Sequence, residues 1–259
     1  MLRLYEFSAW ISCDGIPLPV FQPIVDANNS RVTCWIACDE GETFRVHWRD
    51  EGSKVDTAAY ITLDDYKVPG RYLWGEGETS RGGIRTGPNT ERPFTFDNFD
   101  EESADTERDH TVERREPGTI VLRIRRISLT RVGEPNPTPH IPPPAGVGEE
   151  GADLRVVFGS PVPAVPQTPT IRFESYDKEN PGSYVTFVFR YRTQHFLISR
   201  GLFHSASESM YRFVPVHPPS TPGSPEIETN AEQQFTQTNV DTRRKECGQS
   251  RQSNNDDES

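Results

Sequence analysis

The stretch TFRVHWR, Thr43–Arg49, decides the fold class because its side chains alternate strictly between apolar and polar. Phe44, Val46 and Trp48 share one parity, while two arginines and a histidine share the other. Successive side chains of a β-strand point to opposite faces of the sheet. The alternation therefore predicts a strand with one face in the core and the other in water.

Similar short segments recur along most of the chain, separated by turn-rich stretches, as in an all-β domain. The predicted strands are Phe7–Ser12, Arg31–Ala37, Thr43–Arg49, Thr57–Leu63, Arg71–Trp74, Arg92–Phe96, Thr119–Leu129, Leu154–Phe158, Thr170–Glu174 and Tyr184–Arg192. No amphipathic helix separates them, which favours antiparallel sheets over βαβ units. Gln194–Arg200 predicts a short helical turn that ends before Gly201. We therefore expect an antiparallel β-sandwich or jelly-roll-like fold with one short helical turn and long irregular loops.

Some tertiary features are also predicted. The turn residues Asp39–Glu42 favour a hairpin between the second and third strands. The glycine-rich residues 75–83 favour a flexible hairpin loop. Large aromatic side chains on alternating strands usually fill a sandwich interior. The expected core aromatics are Phe7, Trp10, Trp35, Phe44 and Trp48.

The remaining sequence divides the chain into one β-rich domain, residues 1–214, and a polar tail, residues 215–259. Two loops interrupt the domain: an acidic one at 97–117 and a proline-rich, extended one at 132–151. The tail has few large apolar residues, so burial cannot offset its ordering, and we expect disorder there.

Composition excludes several classes of protein. The chain has 259 residues with a formal net charge of −11, which argues against a general nucleic-acid binder. No apolar run approaches the roughly 20 residues of a membrane span. The first residues lack the basic start and apolar stretch of a secretory signal. We therefore expect a soluble intracellular protein, in the cytoplasm or nucleus, with reduced cysteines.

Six motifs in a fixed order resemble one known family. They are FSAWI with Asp14-Gly15, VTCWIA at Val32–Ala37, FRVHW at Phe44–Trp48, GIRT with RPFTF, GTIVLRI at Gly118–Ile124, and TFVFRYR at Thr186–Arg192. Together they resemble the fungal, mostly basidiomycete, family catalogued as domain of unknown function 7918, from about Leu4 to Gly201. The resemblance implies a single β-rich domain. It implies no activity, cofactor or site residues, because the family has none assigned.

Sequence motifs for catalysis are absent: the chain has no nucleophile elbow, phosphate-binding loop or HExxH pair. Cys34 and Cys38 invite a metal interpretation. However, four residues along a strand advance roughly 13 Å, too far for two thiolates to share one zinc ion. We therefore expect buried thiols, no metal site and no cofactor. Whether the chain is an enzyme stays open, with the balance against it.

Arginines on two strands form the leading candidate site. Arg123 and Arg125 share one face of their strand, and Arg190 and Arg192 share one face of another. If the strands are neighbours, the four guanidiniums converge and hold a carboxylate, a phosphate or an acidic peptide. The alternatives are pairing with the acidic loop or a simply solvated face.

The leading functional hypothesis is a non-catalytic protein-binding or scaffold module, with protein as its partner and an unknown oligomeric state. The alternative is a domain, possibly enzymatic, that binds a small molecule or carbohydrate. Its site would lie near Tyr72, Trp74 or His195, where aromatic side chains and a histidine stand outside the expected core.

Overall fold

The computed structural model describes residues 1–98, 118–133, 138–141, 152–166 and 169–202. The described residues belong to one compact unit. The elements are β1 (Leu2–Leu4), β2 (Phe7–Cys13), β3 (Ile16–Pro17), β4 (Val20–Asp26), β5 (Arg31–Ala37), β6 (Thr43–Asp50), β7 (Asp56–Leu63), β8 (Tyr66–Trp74), β9 (Gly77–Arg81), β10 (Gly83–Gly87), β11 (Thr90–Asn98), β12 (Thr119–Val132), β13 (Leu154–Phe158), β14 (Val162–Pro163), β15 (Ile171–Ser175), β16 (Val185–Arg192) and α1 (Gln194–Ser199). The prediction of an all-β fold with one short helix is confirmed.

Two sheets make a sandwich-like arrangement. The nine-stranded sheet has the order β1-β2-β6-β11-β10, with β3, β9, β13 and β14 paired at its sides. The seven-stranded sheet has the order β4-β5-β16-β12-β7-β8, with β15 paired to β12. Most neighbours are antiparallel, as predicted. The pair β5–β16 is parallel, from Arg31 opposite Thr186 to Ala37 opposite Arg192, so the expectation of wholly antiparallel sheets is wrong there.

The predicted hairpin between β5 and β6 is also wrong, because the two strands lie in different sheets. The link between them crosses the sandwich. Its first part follows β16, where the Cys38 amide donates to the Arg192 carbonyl over 3.0 Å. Its second part follows β11, where the Gly41 amide donates to the Phe96 carbonyl over 2.8 Å. Since each strand has one apolar face, the two can face each other across the core.

The inward faces of both sheets form one core. On β6, Phe44, Val46 and Trp48 are buried, as their alternation predicts. The predicted inward faces of β12 and β16 are also fully buried: Ile120, Leu122, Ile124, Phe187, Phe189 and Tyr191. The Phe96 and Tyr191 rings join the two sheets with centroids 4.9 Å apart. Each fully buried large apolar side chain contributes roughly 1.5–3 kcal/mol to stability, so this core drives the assembly of the sandwich.

For two of the five expected core aromatics, the prediction of a place in the core is wrong. Trp10 and Trp35 are only half-buried and point away from the core, whereas Phe7, Phe44 and Trp48 are buried. The physical reason is strand parity. On β2 the inward residues are Phe7, Ala9, Ile11 and Cys13, which leaves Trp10 on the outer face, stacked 5.0 Å from the His47 ring.

Parts of the predicted loops lie among the described residues. Residues 77–81 form β9 against β6 rather than the expected loop. In the proline-rich loop, the Tyr66 hydroxyl donates to the His140 carbonyl over 2.7 Å. The acidic loop from residue 99 onward, most of the proline-rich loop and the tail lie outside the described residues.

The short helix α1 follows β16, as predicted. The Thr193 side chain caps its start by accepting from the Phe196 amide over 3.2 Å. Gly201, at φ +66°, provides the left-handed residue after its end. Within the described ranges, no helix is long and apolar enough to cross a membrane.

Candidate functional site

The four predicted site arginines do not converge. Strands β12 and β16 are neighbours, but their register places Arg123 opposite Thr186 and Arg190 opposite Thr119. Four residues along a strand separate the two positions by roughly 13 Å. The arginines therefore form two pairs, and the expected four-guanidinium cluster is wrong. Their role in binding stays a prediction.

The Arg123–Arg125 pair is tied to neighbouring groups. The Arg123 guanidinium donates to the Thr62 hydroxyl over 3.0 Å. The Arg125 guanidinium donates to the Pro181 carbonyl over 2.6 Å. These bonds use part of the donor capacity of both side chains, so this pair offers less to a ligand.

The second pair belongs to a larger surface, which we call the arginine–aromatic ladder: Arg190, Trp35, Arg192, Phe196 and Arg200. Arg190 and Arg192 lie over the Trp35 ring, with guanidinium carbons 5.4 and 5.5 Å from its centroid. Arg192 and Arg200 lie over the Phe196 ring at 5.6 and 5.5 Å. Cations and aromatic faces thus alternate along one surface. Each contact contributes roughly 0.5–1 kcal/mol where it is exposed.

Local structure explains the ladder. The parallel register places Arg190 directly opposite Trp35, and α1 brings Phe196 and Arg200 up beside the end of β16. Arg192 is fixed by hydrogen bonds from its guanidinium to the carbonyls of Gly118 (3.0 Å) and Tyr191 (2.6 Å). Burial lowers the pKa of Arg192, while the nearby Asp153 carboxylate opposes that change.

A second candidate site is a groove of about 440 Å³ where the edge strand β8 meets β9 and β10. Tyr72 and Trp74, two predicted site residues, line it with their rings stacked, the centroids 5.7 Å apart and the planes inclined by 14°. Phe173 meets the Tyr72 ring edge-on. His195 lies on α1 and does not line the groove, so the structure does not bring it together with the aromatic pair.

Three arginines that the sequence analysis missed also line this groove: Arg71, Arg81 and Arg85. They come from three different strands, so no local motif could have shown them. The Arg81 guanidinium donates to the Gly83 carbonyl over 2.8 Å. The Arg85 guanidinium donates to the carbonyls of Pro88 and Val165 over 2.7 and 2.8 Å.

Among the residues that the structure describes, the most deeply buried charged group is the Asp64 carboxylate, at 1% exposure. It accepts hydrogen bonds from the amides of Gly118 (2.8 Å) and Val156 (2.7 Å) and from the Tyr191 hydroxyl (2.6 and 2.7 Å). Burial raises its pKa to about 6, although all these donors oppose the change. The network connects the β7–β8 turn to β12, β13 and β16. No substrate can reach it, so we assign it a structural role.

One histidine has a hydroxyl partner: the Ser12 Oγ and His47 Nε2 atoms are 2.8 Å apart. Nucleophilic catalysis would require an accessible serine and a group that orients the base. Ser12 is only 2% exposed, and burial lowers the pKa of His47. This pair therefore connects two strands rather than forming a catalytic site.

The cysteines of the described residues are buried thiols, as predicted for Cys34 and Cys38. Burial raises the pKa of Cys34 to about 12, so this thiol stays protonated. No cluster of three or more histidine, cysteine or acidic side chains suited to a metal ion occurs among the residues that the structure describes.

Comparisons with known proteins identify a family but no characterised relative. Neither a curated protein nor a solved structure matches the chain significantly. One family model matches residues 6–204, which include nearly all of the described strands and α1. It is described as a domain of unknown function (DUF7918). The chain belongs to this DUF7918 family.

Proposed function

We propose that the domain is a non-catalytic protein-binding module that holds an acidic segment of a partner protein on the arginine–aromatic ladder. The observation that carries the proposal is the alternation of three guanidiniums with two aromatic rings on one surface. Arginine and aromatic side chains are enriched among the residues that dominate protein interfaces.

The geometry suits carboxylates. Stacking on an aromatic ring leaves the N–H edge of a guanidinium accessible, so Arg190 and Arg200 can form bidentate bonds to a carboxylate. Arg190 and Arg200 are exposed, and neither forms an ion pair with an acidic side chain of the described residues. Because the rings restrain the side chains before binding, less conformational entropy is lost when a partner docks.

The overall charge supports a peptide partner over a nucleic acid. A formal charge of −11 repels the phosphate backbone at long range. A short acidic segment instead needs only a local basic surface. Dissolved salt screens the charges on the rest of the chain. The ladder can therefore attract an acidic segment that comes within a Debye length of about 8 Å.

The test is fluorescence anisotropy with a labelled Glu-Ser repeat peptide, and a Gln-Ser repeat as the neutral control. We expect binding of the acidic peptide that weakens with salt. The double variant Arg190→Glu with Arg200→Glu should weaken it about tenfold or more. The matched control reverses Arg131 and Arg172, two exposed arginines paired across β12 and β15, and should leave binding unchanged.

Equal losses in both double variants would contradict the proposal, because binding would then reflect net charge alone. Equal binding of the neutral peptide would also contradict it. A further variant replaces residues 100–116 by a neutral linker. If only this variant binds the peptide, the occupant of the ladder is the acidic loop of the chain itself and no partner is needed.

A further inference from the structure

The groove beside β8 combines an aromatic surface with positive charge, at a place distinct from the ladder. The Tyr72 and Trp74 rings stack almost parallel, and Trp74 is 51% exposed. Covering the apolar face of an exposed indole with a ligand removes that face from water, which favours binding. Flat aromatic faces of this kind stack against sugar rings and planar aromatic rings.

Backbone geometry holds the aromatic pair in place. The register of β8 against β7 shifts between Ala58 and Tyr60, which indicates a bulge. Gly70 lies in this bulge, where a Cβ atom would come within 2.3 Å of the Ala59 carbonyl oxygen. Phe173 and the Ile171 carbonyl, which accepts from the Tyr72 hydroxyl over 3.4 Å, support Tyr72 from β15.

The groove also concentrates positive charge. Arg71, Arg81 and Arg85 line it together, and none of them has an ion pair with an acidic side chain in the described part of the chain. Burial lowers the pKa of Arg81 to about 10, and the charges of Arg71 and Arg85 contribute, while Glu91 partly offsets them. A bound anion would relieve this repulsion.

We infer that this groove binds a small anionic ring compound: a sugar or aromatic ring that carries a carboxylate or a phosphate. The ring stacks on Trp74 and the anion meets the guanidiniums of Arg71 and Arg81. The volume, about 440 Å³, lies in the range of natural small-molecule pockets, roughly 300–1,000 Å³. Backbone carbonyls already orient Arg81 and Arg85, so the anion meets preorganised donors.

The experiment is calorimetric titration of the full chain with galacturonate and with glucose 6-phosphate. Neutral glucose and inorganic phosphate are the controls. We expect at least one anionic ring compound to bind about tenfold or more tightly than either control. The tighter of the two identifies whether the anion is a carboxylate or a phosphate. Trp74→Ala and Arg71→Gln should each weaken it about tenfold.

Both substitutions replace exposed side chains, so the variants should fold, and circular dichroism checks this. Arg31→Gln, at an exposed arginine of β5 that does not line the groove, is the matched control and should bind like the wild type. The inference is overturned if neither compound binds, if the tighter-binding compound binds no more tightly than glucose and inorganic phosphate, or if Trp74→Ala binds that compound as well as the wild type.

Discussion

Replacing Asp64 by asparagine tests the buried carboxylate network. One Asp64 oxygen accepts from Gly118, Thr119 and Tyr191, and the other accepts from Val156 and Tyr191. An amide group retains only one acceptor oxygen, and both carboxylate oxygens accept from a backbone N–H, so the NH₂ of asparagine must face a backbone donor in either orientation. A buried donor left unpaired costs about 1–3 kcal/mol. The substitution also removes hydrogen bonds to a charged acceptor. Together, these two losses should lower the free energy of unfolding of Asp64→Asn by about 2–4 kcal/mol at neutral pH.

The pH dependence gives the sharper test. The native pKa of Asp64, about 6, is above the ordinary 3.8, so the folded state binds the proton more tightly than the unfolded state. The stability that this proton contributes is complete below pH 3.8 and is lost as the pH rises through about 6. A difference of roughly two pKa units corresponds to about 3 kcal/mol. The difference in the free energy of unfolding between the wild type and Asp64→Asn should therefore increase by about that amount as the pH falls from 7 to 4.

The assay is urea denaturation of both proteins across this pH range. Comparing the two proteins at each pH cancels the titration of the other carboxylates. Tyr191→Phe is the companion variant, because it keeps the ring that packs on Phe96 but removes the hydroxyl donor. Without that donor the pKa of Asp64 should rise further, moving the transition to higher pH. A constant difference in the free energy of unfolding would refute the reasoning, because Asp64 would then have the same pKa in the folded and unfolded states. A difference that increases toward neutral pH would also refute it, because the carboxylate would then stabilise the fold as an anion.

Two further predictions use matched variants and chemical denaturation. Gly70→Ala should lower stability by about 1–3 kcal/mol, because its Cβ would clash with the Ala59 carbonyl, whereas Gly182→Ala, with its nearest atom at 3.4 Å, should have almost no effect; equal effects would argue against the close approach at Gly70. Trp48→Ala should cost about 3–5 kcal/mol because the indole is fully buried, and Trp10→Ala about 1 kcal/mol because its ring lies on the outer face. Equal losses would mean that Trp10 belongs to the core after all.

The sequence alone predicts the strands well because burial of one face imposes a period of two. In β12 and β16 the alternating residues are the ones that fill the core. The same rule contained the correct position of Trp10: it falls on the parity of Ser8 and Ser12, opposite to Phe7. Trp10 and Trp35 lie on outer faces although the size of an indole ring favours burial.

Pairing between strands was out of reach, since period-two patterns specify faces but not neighbours. Both β5 and β6 have one apolar face, which fits a hairpin and a cross-core arrangement equally well. The register of β12 against β16 separates Arg123 from Arg190, and no local pattern contains that offset. The three groove arginines come from three different strands, so their meeting also depends on strand pairing that the sequence pattern does not specify. The aromatic pair Tyr72 and Trp74 was found because both residues lie on one strand.

The central position of β16 has a consequence for biosynthesis. This strand, the last in the described chain, lies between β5 and β12 in the seven-stranded sheet. Until the ribosome has released it, the edges of β5 and β12 that pair with β16 carry unpaired backbone N–H and C=O groups. Pairing of β5 with β16 also joins residues about 150 positions apart, which slows folding. We therefore expect the seven-stranded sheet to close late in folding, and shortening the chain before β16 should produce aggregates rather than a smaller domain.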